Sequence, residues 1–381
     1  MVSASLGSSP RRGLESHRVV VCLGSGGVGK TTTAAALAVR AAMSGRRVLC
    51  LTIDPARRLA NSLGLDALHH EPQRIGATLF EQHGLACRGE LWAMMLDMKH
   101  TFDDIVARHA SSPAQRNRIY ENRLYQYVST SLAGTQEYMA MEKLYEVRAD
   151  ARFDLIVLDT PPTTNALDFL DAPQKLVGAI DSPAMRWFVQ QLERRRGLDL
   201  VGRGAALVLH GLARFTGAAF LDHIGEFLVD LNALFGGFRE RARAVYDALR
   251  APDVAFLIVT SPAPLNVAEA VFFGQKLQAY EIRAHGVIVN RVHPVIAPSA
   301  SGAVALAASP SAVAPDLLER MKRAADDARL LGERDREGIR RLREHLGTDS
   351  AYAEVPAFDQ DVHDLGALAE LSEYLVAGEA A

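Results

Sequence analysis

Apolar residues along this chain fall into two kinds of pattern. Short, predominantly apolar and often β-branched runs recur at Val19–Leu23, Arg47–Ile53, Phe153–Leu158 and Val254–Thr260. A further run, Val287-Ile288-Val289, sits within Ile282 to Asn290. Runs of this length without polar alternation predict strands buried on both faces. Gly89 to Asp97 and Tyr352 to Pro356 predict two more. Between them the pattern turns helical. Ala34 to Ala42 is rich in strong helix formers, a helix is expected to end near Arg108, and residues 111–150 read as mostly helical. Leu132, Met139, Met141 and Leu144 give that stretch a partly apolar face, where Met usually fills core. Leu317 to Leu346 predicts a charged helix, and a last helix runs to Val376. Strands alternating with helices predict an α/β fold, a doubly wound and mainly parallel sheet.

Residues 175–250 break the alternation. Leu176-Val177, Trp187-Phe188-Val189 and Leu207-Val208-Leu209 are apolar clusters, and Phe220, Ile224, Phe227, Leu228, Leu231, Leu234, Phe235 and Phe238 fall at helical spacings. This predicts an amphipathic helical insertion, which either packs on the main domain or offers an apolar groove to a partner helix. The expected organisation is a flexible tail over 1–17 and an α/β core in two parts, 18–174 and 251–376. The insertion at 175–250 separates the parts, and an Ala/Ser/Pro-rich linker lies at 297–315.

Composition narrows the classes. The chain has 381 residues, 49% hydrophobic and 23% charged, which suits a globular protein with a sizeable core. A net charge of -3 argues against a broad nucleic-acid footprint. Three cysteines, Cys22, Cys50 and Cys87, without a C-x-x-C predict neither a disulfide framework nor a zinc site; Cys22 and Cys50 read as buried thiols in strands. The polar, Ser/Arg-rich start lacks the apolar centre of a secretory signal. Val295 to Pro315 is uncharged but too rich in Ala, Ser and Pro to span a bilayer. No integral membrane span and a cytoplasmic location are expected.

The chemistry concentrates after the first strand. Gly24, four residues, Gly29, Lys30 and Thr31 fit the phosphate-loop pattern G-x-x-x-x-G-K-[ST], with strand before and helix after. Gly24, Gly26, Gly27 and Gly29 free the backbone N–H groups to face phosphate oxygens, and the helix adds its positive N-terminal end. Lys30 is expected to reach the β- and γ-phosphates of ATP and Thr31 to hold Mg²⁺. Asp159, after four apolar residues at a strand's C-terminal end, is the expected second acidic element near Mg²⁺. Asp54, followed by Pro55, serves either as a helix cap or in that same chemistry.

In combination these segments resemble one family. Gly24-Ser-Gly-Gly-Val-Gly-Lys-Thr-Thr is similar to the deviant Walker A loop G-K-G-G-V-G-K-T-T of the ArsA and guided-entry (tail-anchored protein targeting) ATPases, cousins of MinD, ParA and nitrogenase iron protein. Thr52-Ile-Asp-Pro-Ala-Arg-Arg-Leu-Ala-Asn-Ser-Leu-Gly resembles the first switch of that family, and Asp159-Thr-Pro-Pro-Thr-Thr-Asn-Ala-Leu-Asp resembles its second. Val287-Ile-Val-Asn-Arg resembles its adenine-reading segment, and Val355-Pro-Ala-Phe-Asp-Gln-Asp-Val its loop beside the base.

The resemblance implies a SIMIBI-like phosphate-loop fold and a Mg-dependent ATP hydrolase worked by dimer closure. Gly24, Ser25, Gly26, Gly27, Val28, Gly29, Lys30, Thr31 and Thr32 would bind phosphate, and Asn290 and Pro356 the nucleoside. Thr31, Asp54 and Asp159 would serve the metal, with Asp54 orienting the attacking water. The implied partners are ATP and ADP, a second subunit (itself or a relative) and a hydrophobic client helix.

Departures shape the alternatives. Ser25 stands where the family carries a signature lysine that crosses the dimer interface. This opens the reading of a weakly active regulatory subunit of a heterodimer; a partner's lysine, or Arg57 or Arg58 of this chain, would then replace the missing charge. The zinc C-x-x-C, the paired arsenite cysteines and the cysteine of the iron–sulfur branch are absent from the corresponding motifs. Residues 175–250 contain one methionine, Met185, so a client groove there would be lined by Leu and Phe. A MinD- or ParA-like positioning ATPase is a third reading. The acidic tail from Leu365 to Ala381, with Glu370, Glu373 and Glu379 and no basic residue, argues against it.

Overall fold

In the computed structural model, β1 (Val19–Leu23) is buried at all five positions and is paired on both sides, with β5 (Leu155–Asp159) and β6 (Val254–Thr260). The structure describes residues 16–54, 58–131, 135–161, 178, 182–183, 240–295, 315–347 and 351–376. The sheet has eight strands in the order β3-β4-β2-β5-β1-β6-β7-β8. The others are β2 (Arg47–Thr52), β3 (Gln73–Arg74), β4 (Glu90–Met95), β7 (Ala284–Val292) and β8 (Ala351–Pro356). Every pairing is parallel except β3 with β4. The chain moves to one side of β1 to make β2 and to the other to make β6, β7 and β8. Such a reversal opens a crevice at the carboxyl ends of the strands, where ligands of this architecture bind.

Helix α1 (Lys30–Met43) runs from the carboxyl end of β1 and is buried nearly throughout, with Ala34 to Val39 all sealed from solvent. Six alanines among its buried positions keep it thin enough to lie between neighbours on more than one face. The C-terminal helix α10 (Leu365–Val376) joins the same core through Leu365, Leu368, Leu371 and Leu375. The apolar stripe of the acidic tail is therefore packed inside the protein. No helix among the described residues is long and apolar enough to cross a membrane.

Most predicted strands appear within a residue or two. The stretch Gly89–Asp97 shortens to Glu90–Met95, and β7 continues past Asn290 to Val292. The register of β7 with β8 shifts between Val289 and Val292, where Arg291 takes φ 61°. Residues 111–150 form three helices, α5 (Pro113–Glu121), α6 (Arg123–Ser131) and α7 (Thr135–Arg148). Ser112 caps α5 ahead of Pro113, and the Asn122 carboxamide accepts from the Leu124 N–H at 2.9 Å to begin α6. Buried α7 residues include Tyr138, Met139, Ala140 and Met141 in succession, so burial there is not confined to one stripe. The short antiparallel strand β3 and helix α3 (Ala77–Gln82) were not predicted, since Gln73-Arg74 carries no apolar signal.

By internal contacts the chain forms two compact units. One comprises Met1–Met95, Ala151–Ala166 and Pro252–Ala381, and the other Leu96–Asp150 and Leu167–Ala251. In the second unit, α4 (Met98–His109) and α5 are joined by the Tyr120 hydroxyl, which donates to the Asp103 carbonyl at 2.8 Å, and part-buried contacts engage α6 and α7. Glu142 accepts from Arg241 Nε at 2.7 Å, and the Tyr125 hydroxyl donates to Asp103. Most of the insertion expected at 175–250, the tail 1–15, Leu132 and the linker up to 314 lie outside the described residues.

Candidate nucleotide site

The loop between β1 and α1 occupies the crevice, and two of its glycines are required there. A Cβ on Gly24 would stand 2.1 Å from the Val259 carbonyl oxygen of β6. Gly29, which precedes α1, has φ 93°, and a Cβ there would meet Asn290 Nδ2 at 2.2 Å. The loop thus lies directly against the β6 backbone at Gly24 and against the Asn290 side chain of β7 at Gly29. Asn290 fixes this contact by donating to the Val28 carbonyl at 2.9 Å, while its Oδ1 accepts from the Arg291 N–H at 3.0 Å.

Lys30 folds back over the loop and donates to the Ser25 carbonyl at 2.7 Å. Burial lowers its pKa, opposed by the nearby Asp159 and Asp54. Asp159 ends β5 with no exposed surface. Its Oδ2 accepts from the Thr31 hydroxyl at 2.8 Å and from the Thr52 hydroxyl at 2.9 Å. The Thr52 Oγ1 also accepts the Asp54 N–H at 3.2 Å. One carboxylate oxygen therefore joins the start of α1 and the end of β2, and Asp54 is linked to it through Thr52. Thr160 completes the seam by donating to the Cys22 carbonyl at 2.8 Å. Sequence reasoning did not single out Thr52 or Thr160 as site residues. The available signal was position: each is a hydroxyl residue at the carboxyl end of a buried strand. The thiols of Cys22 and Cys50 are buried, and their pKa values are raised by desolvation, as structural cysteines require.

A cleft of about 510 Å³ is lined by Lys30, Thr31, Thr32, Asp54 and Thr160, with Arg58 and Arg291 at its walls. Beside it, a recess of about 320 Å³ is lined by Gly29, Thr32, Asn290, Arg291, Pro356 and Phe358, among others. The first is rich in phosphate-binding donors. The second has the apolar and amide lining that a nucleoside needs. Of the expected residues, Gly27, Gly29, Lys30, Thr31, Thr32 and Asp54 line the cleft, and Asn290 and Pro356 line the recess. Asp159 lies beneath Thr31. Ser25 lines neither; it is buried, and its hydroxyl donates to Asn266 Oδ1 at 3.4 Å. Asp54 is not described as a helix cap, since residues 55–57 lie outside the described residues and the next helix begins at Arg58. Arg57 lies in that same gap.

The donor set fits Mg²⁺ held jointly with phosphate. Among the described residues no three His, Cys, Asp or Glu side chains converge on a metal site, so the protein offers no closed cage. Mg²⁺ is ordinarily held by one or two protein oxygens, water and substrate phosphates. Asp159 Oδ1 is buried and has no hydrogen-bond partner among the described residues, as expected of an oxygen reserved for a ligand or its water.

Burial pushes the Asp159 carboxyl up from 3.8 to about 6, against the lowering effect of Thr31, Thr52 and Lys30. The raised value means that Asp159 costs no stability below its unfolded pKa, and that its cost grows as pH rises through about 6. The gap is worth roughly 3 kcal/mol at about 1.4 kcal/mol per pH unit. In the absence of nucleotide and metal, Asp159→Asn is expected to gain stability relative to the natural protein between about pH 5 and about pH 7.5. Thermal melts in EDTA at both values check this. A stability difference that does not change with pH would refute it.

A doubly wound sheet with this loop, this lysine and this hydroxyl-bridged carboxylate defines a phosphate-loop ATPase. Comparison with known sequences gives the particular family: the profile of the ArsA ATPases, described as anion-transporting ATPases, matches residues 17–299, and the chain belongs to that family. It is similar to the ATPase GET3 of Podospora anserina, 27% identical over 270 residues that cover 71% of each chain. The ATPase GET3 of Phaeosphaeria nodorum is 27% identical over 271 residues, 71% of this chain and 74% of its own. The chain is thus an ATP hydrolase of the ArsA type.

Proposed function

We propose that this ATPase is Mg²⁺-dependent and that its nucleotide state drives dimer closure, which in turn controls the binding of a hydrophobic client helix. The observation that carries the reading is the double acceptance at Asp159 Oδ2, from Thr31 of the phosphate loop and from Thr52 beside Asp54. Thr31 and the end of β2 share that one oxygen, so a cation and phosphate arriving at Thr31 act on the same carboxylate that holds Thr52. The segments after β2 and β5 then have two arrangements that the nucleotide can select between. Thr31, with Asp159 behind it, would hold Mg²⁺ jointly with phosphate oxygens, and the ion would supply charge neutralisation at the terminal phosphate. Lys30 and the loop amides orient that phosphate, and Asp54 accepts a hydrogen bond from the attacking water. The apolar composition of 175–250 and the named relatives support the client assignment.

The test is the solution mass of the Asp54→Asn protein by light scattering, with and without Mg-ATP and a fluorescent Leu-rich helical peptide. A doubled mass with ATP, and peptide retained by the dimer alone, is expected. A second reading, a regulatory subunit that pairs with a relative, is favoured by Ser25, whose buried hydroxyl faces Asn266 where a cation would be needed for self-pairing. A monomer under both conditions would support that reading and refute the first. Cytoplasmic residence belongs to the same proposal.

A further inference from the structure

Asp54 is nearly buried, while Arg58, four residues further on and at the start of the next helix, is more than half exposed. Their closest approach is 3.8 Å, from a guanidinium nitrogen of Arg58 to Asp54 Oδ2. That is an ion pair without a hydrogen bond, and pairs of this kind between partly exposed groups contribute little. Both residues line the phosphate cleft, where the other cations are Lys30 and Arg291 and the other carboxylate is Asp361. Arg58 is close enough to depress the Lys30 pKa, an effect of like charge. The nucleotide-free cleft thus holds a loosely attached arginine near its buried lysine. A terminal phosphate offers that arginine more charge and a bidentate oxygen pair.

We infer that Arg58 is a positioning residue that exchanges partners with nucleotide state, pairing with Asp54 when the cleft is empty and with the terminal phosphate of ATP when it is filled. This rests on the nucleotide site described above and adds to it a device that tells ATP from ADP. In the exchange Arg58 adds a cation to the γ-phosphate in cis and withdraws its charge from Asp54 Oδ2. ADP lacks the group that draws Arg58 away, so with ADP the Asp54 pair persists. The weakness of the 3.8 Å contact makes the exchange inexpensive, since a tight bidentate pair would resist it.

The experiment measures ATPγS and ADP affinities by calorimetry in Mg²⁺ for the natural protein, Arg58→Gln and Arg58→Lys. Arg58→Gln is expected to weaken ATPγS at least about 10-fold while ADP changes by less than about 2-fold. Arg58→Lys is expected to recover part of the ATPγS affinity, because it restores charge without the planar fork. Because Arg58 is exposed, the melting temperature of the nucleotide-free variants should match that of the natural protein. Equal losses for both nucleotides, or no loss for either, would overturn the inference while leaving the nucleotide site intact. Failure of the natural protein to bind either nucleotide would overturn the site reading and this inference together.

Discussion

Replacing Lys30 by Met is expected to reduce ATP hydrolysis at least about 100-fold while leaving the nucleotide-free protein as stable as before, or more so. The two halves have one cause. Lys30 is a buried cation whose ordinary hydration has been replaced by a single bond to the Ser25 carbonyl and by the fields of Asp159 and Asp54. Burial works against its charge, so an apolar side chain of similar shape is no worse for the empty protein. The ammonium matters when phosphate enters, because it then faces several negative oxygens in a site of low dielectric. A fixed donor aimed at developing charge is typically worth two to three powers of ten in rate, or roughly 3 to 4 kcal/mol. Steady-state hydrolysis together with thermal melts, with and without Mg-ATP, makes the measurement. ATP should raise the melting temperature of the natural protein and leave that of Lys30→Met unchanged. Hydrolysis within about 10-fold of the natural rate would mean that Lys30 only braces the loop through Ser25.

Asp54→Asn should act on a different quantity. Hydrolysis is expected to fall about 1,000-fold, with ATP affinity changed by no more than about 3-fold. The substitution keeps the backbone N–H that Thr52 accepts, and it keeps the shape of a side chain that is almost enclosed. It removes the charge that would orient water, and with it the acceptor strength of a carboxylate. Lys30, Thr31 and the loop amides are untouched, so phosphate binding persists. Single-turnover hydrolysis and equilibrium binding of a fluorescent ATP analogue separate the two effects. Loss of binding in parallel with loss of rate would assign Asp54 to the binding of nucleotide instead of to the water.

The two variants divide the site as the geometry does. Lys30 belongs to the loop and α1, which exist to hold phosphate. Asp54 stands just beyond the end of β2 and is joined to the loop through Thr52 and Asp159. Thr52 bridges the Asp159 carboxylate and the Asp54 backbone, and so belongs beside the residues that carry charge.

What the sequence by itself determined is the framework and the loop. Val19–Leu23, Leu155–Leu158 and Val254–Val259 are apolar without interruption, short and rich in β-branched residues, as strands buried on both faces are, so the centre of the sheet was legible. Gly24, Gly29, Lys30 and Thr31 were legible because phosphate imposes its own spacing on a strand–loop–helix turn. Ser25 was visible as a departure, and its meaning was not. The tertiary structure decided that its hydroxyl turns inward to Asn266, a residue 241 positions away in the chain. It likewise brought Asp159 to Thr31 and Thr52, and Asn290 to the back of Gly29. It set Arg58 against Asp54 at the wall of the cleft, where the sequence left Arg57 and Arg58 equivalent. The polar edge strand β3 was also invisible in the sequence, because two exposed or half-exposed residues leave no hydrophobic period. Local pattern fixes which segments are buried and which backbone turns are possible. The distances between side chains depend on strand order and register, which are set by how all eight strands and their covering helices share one core.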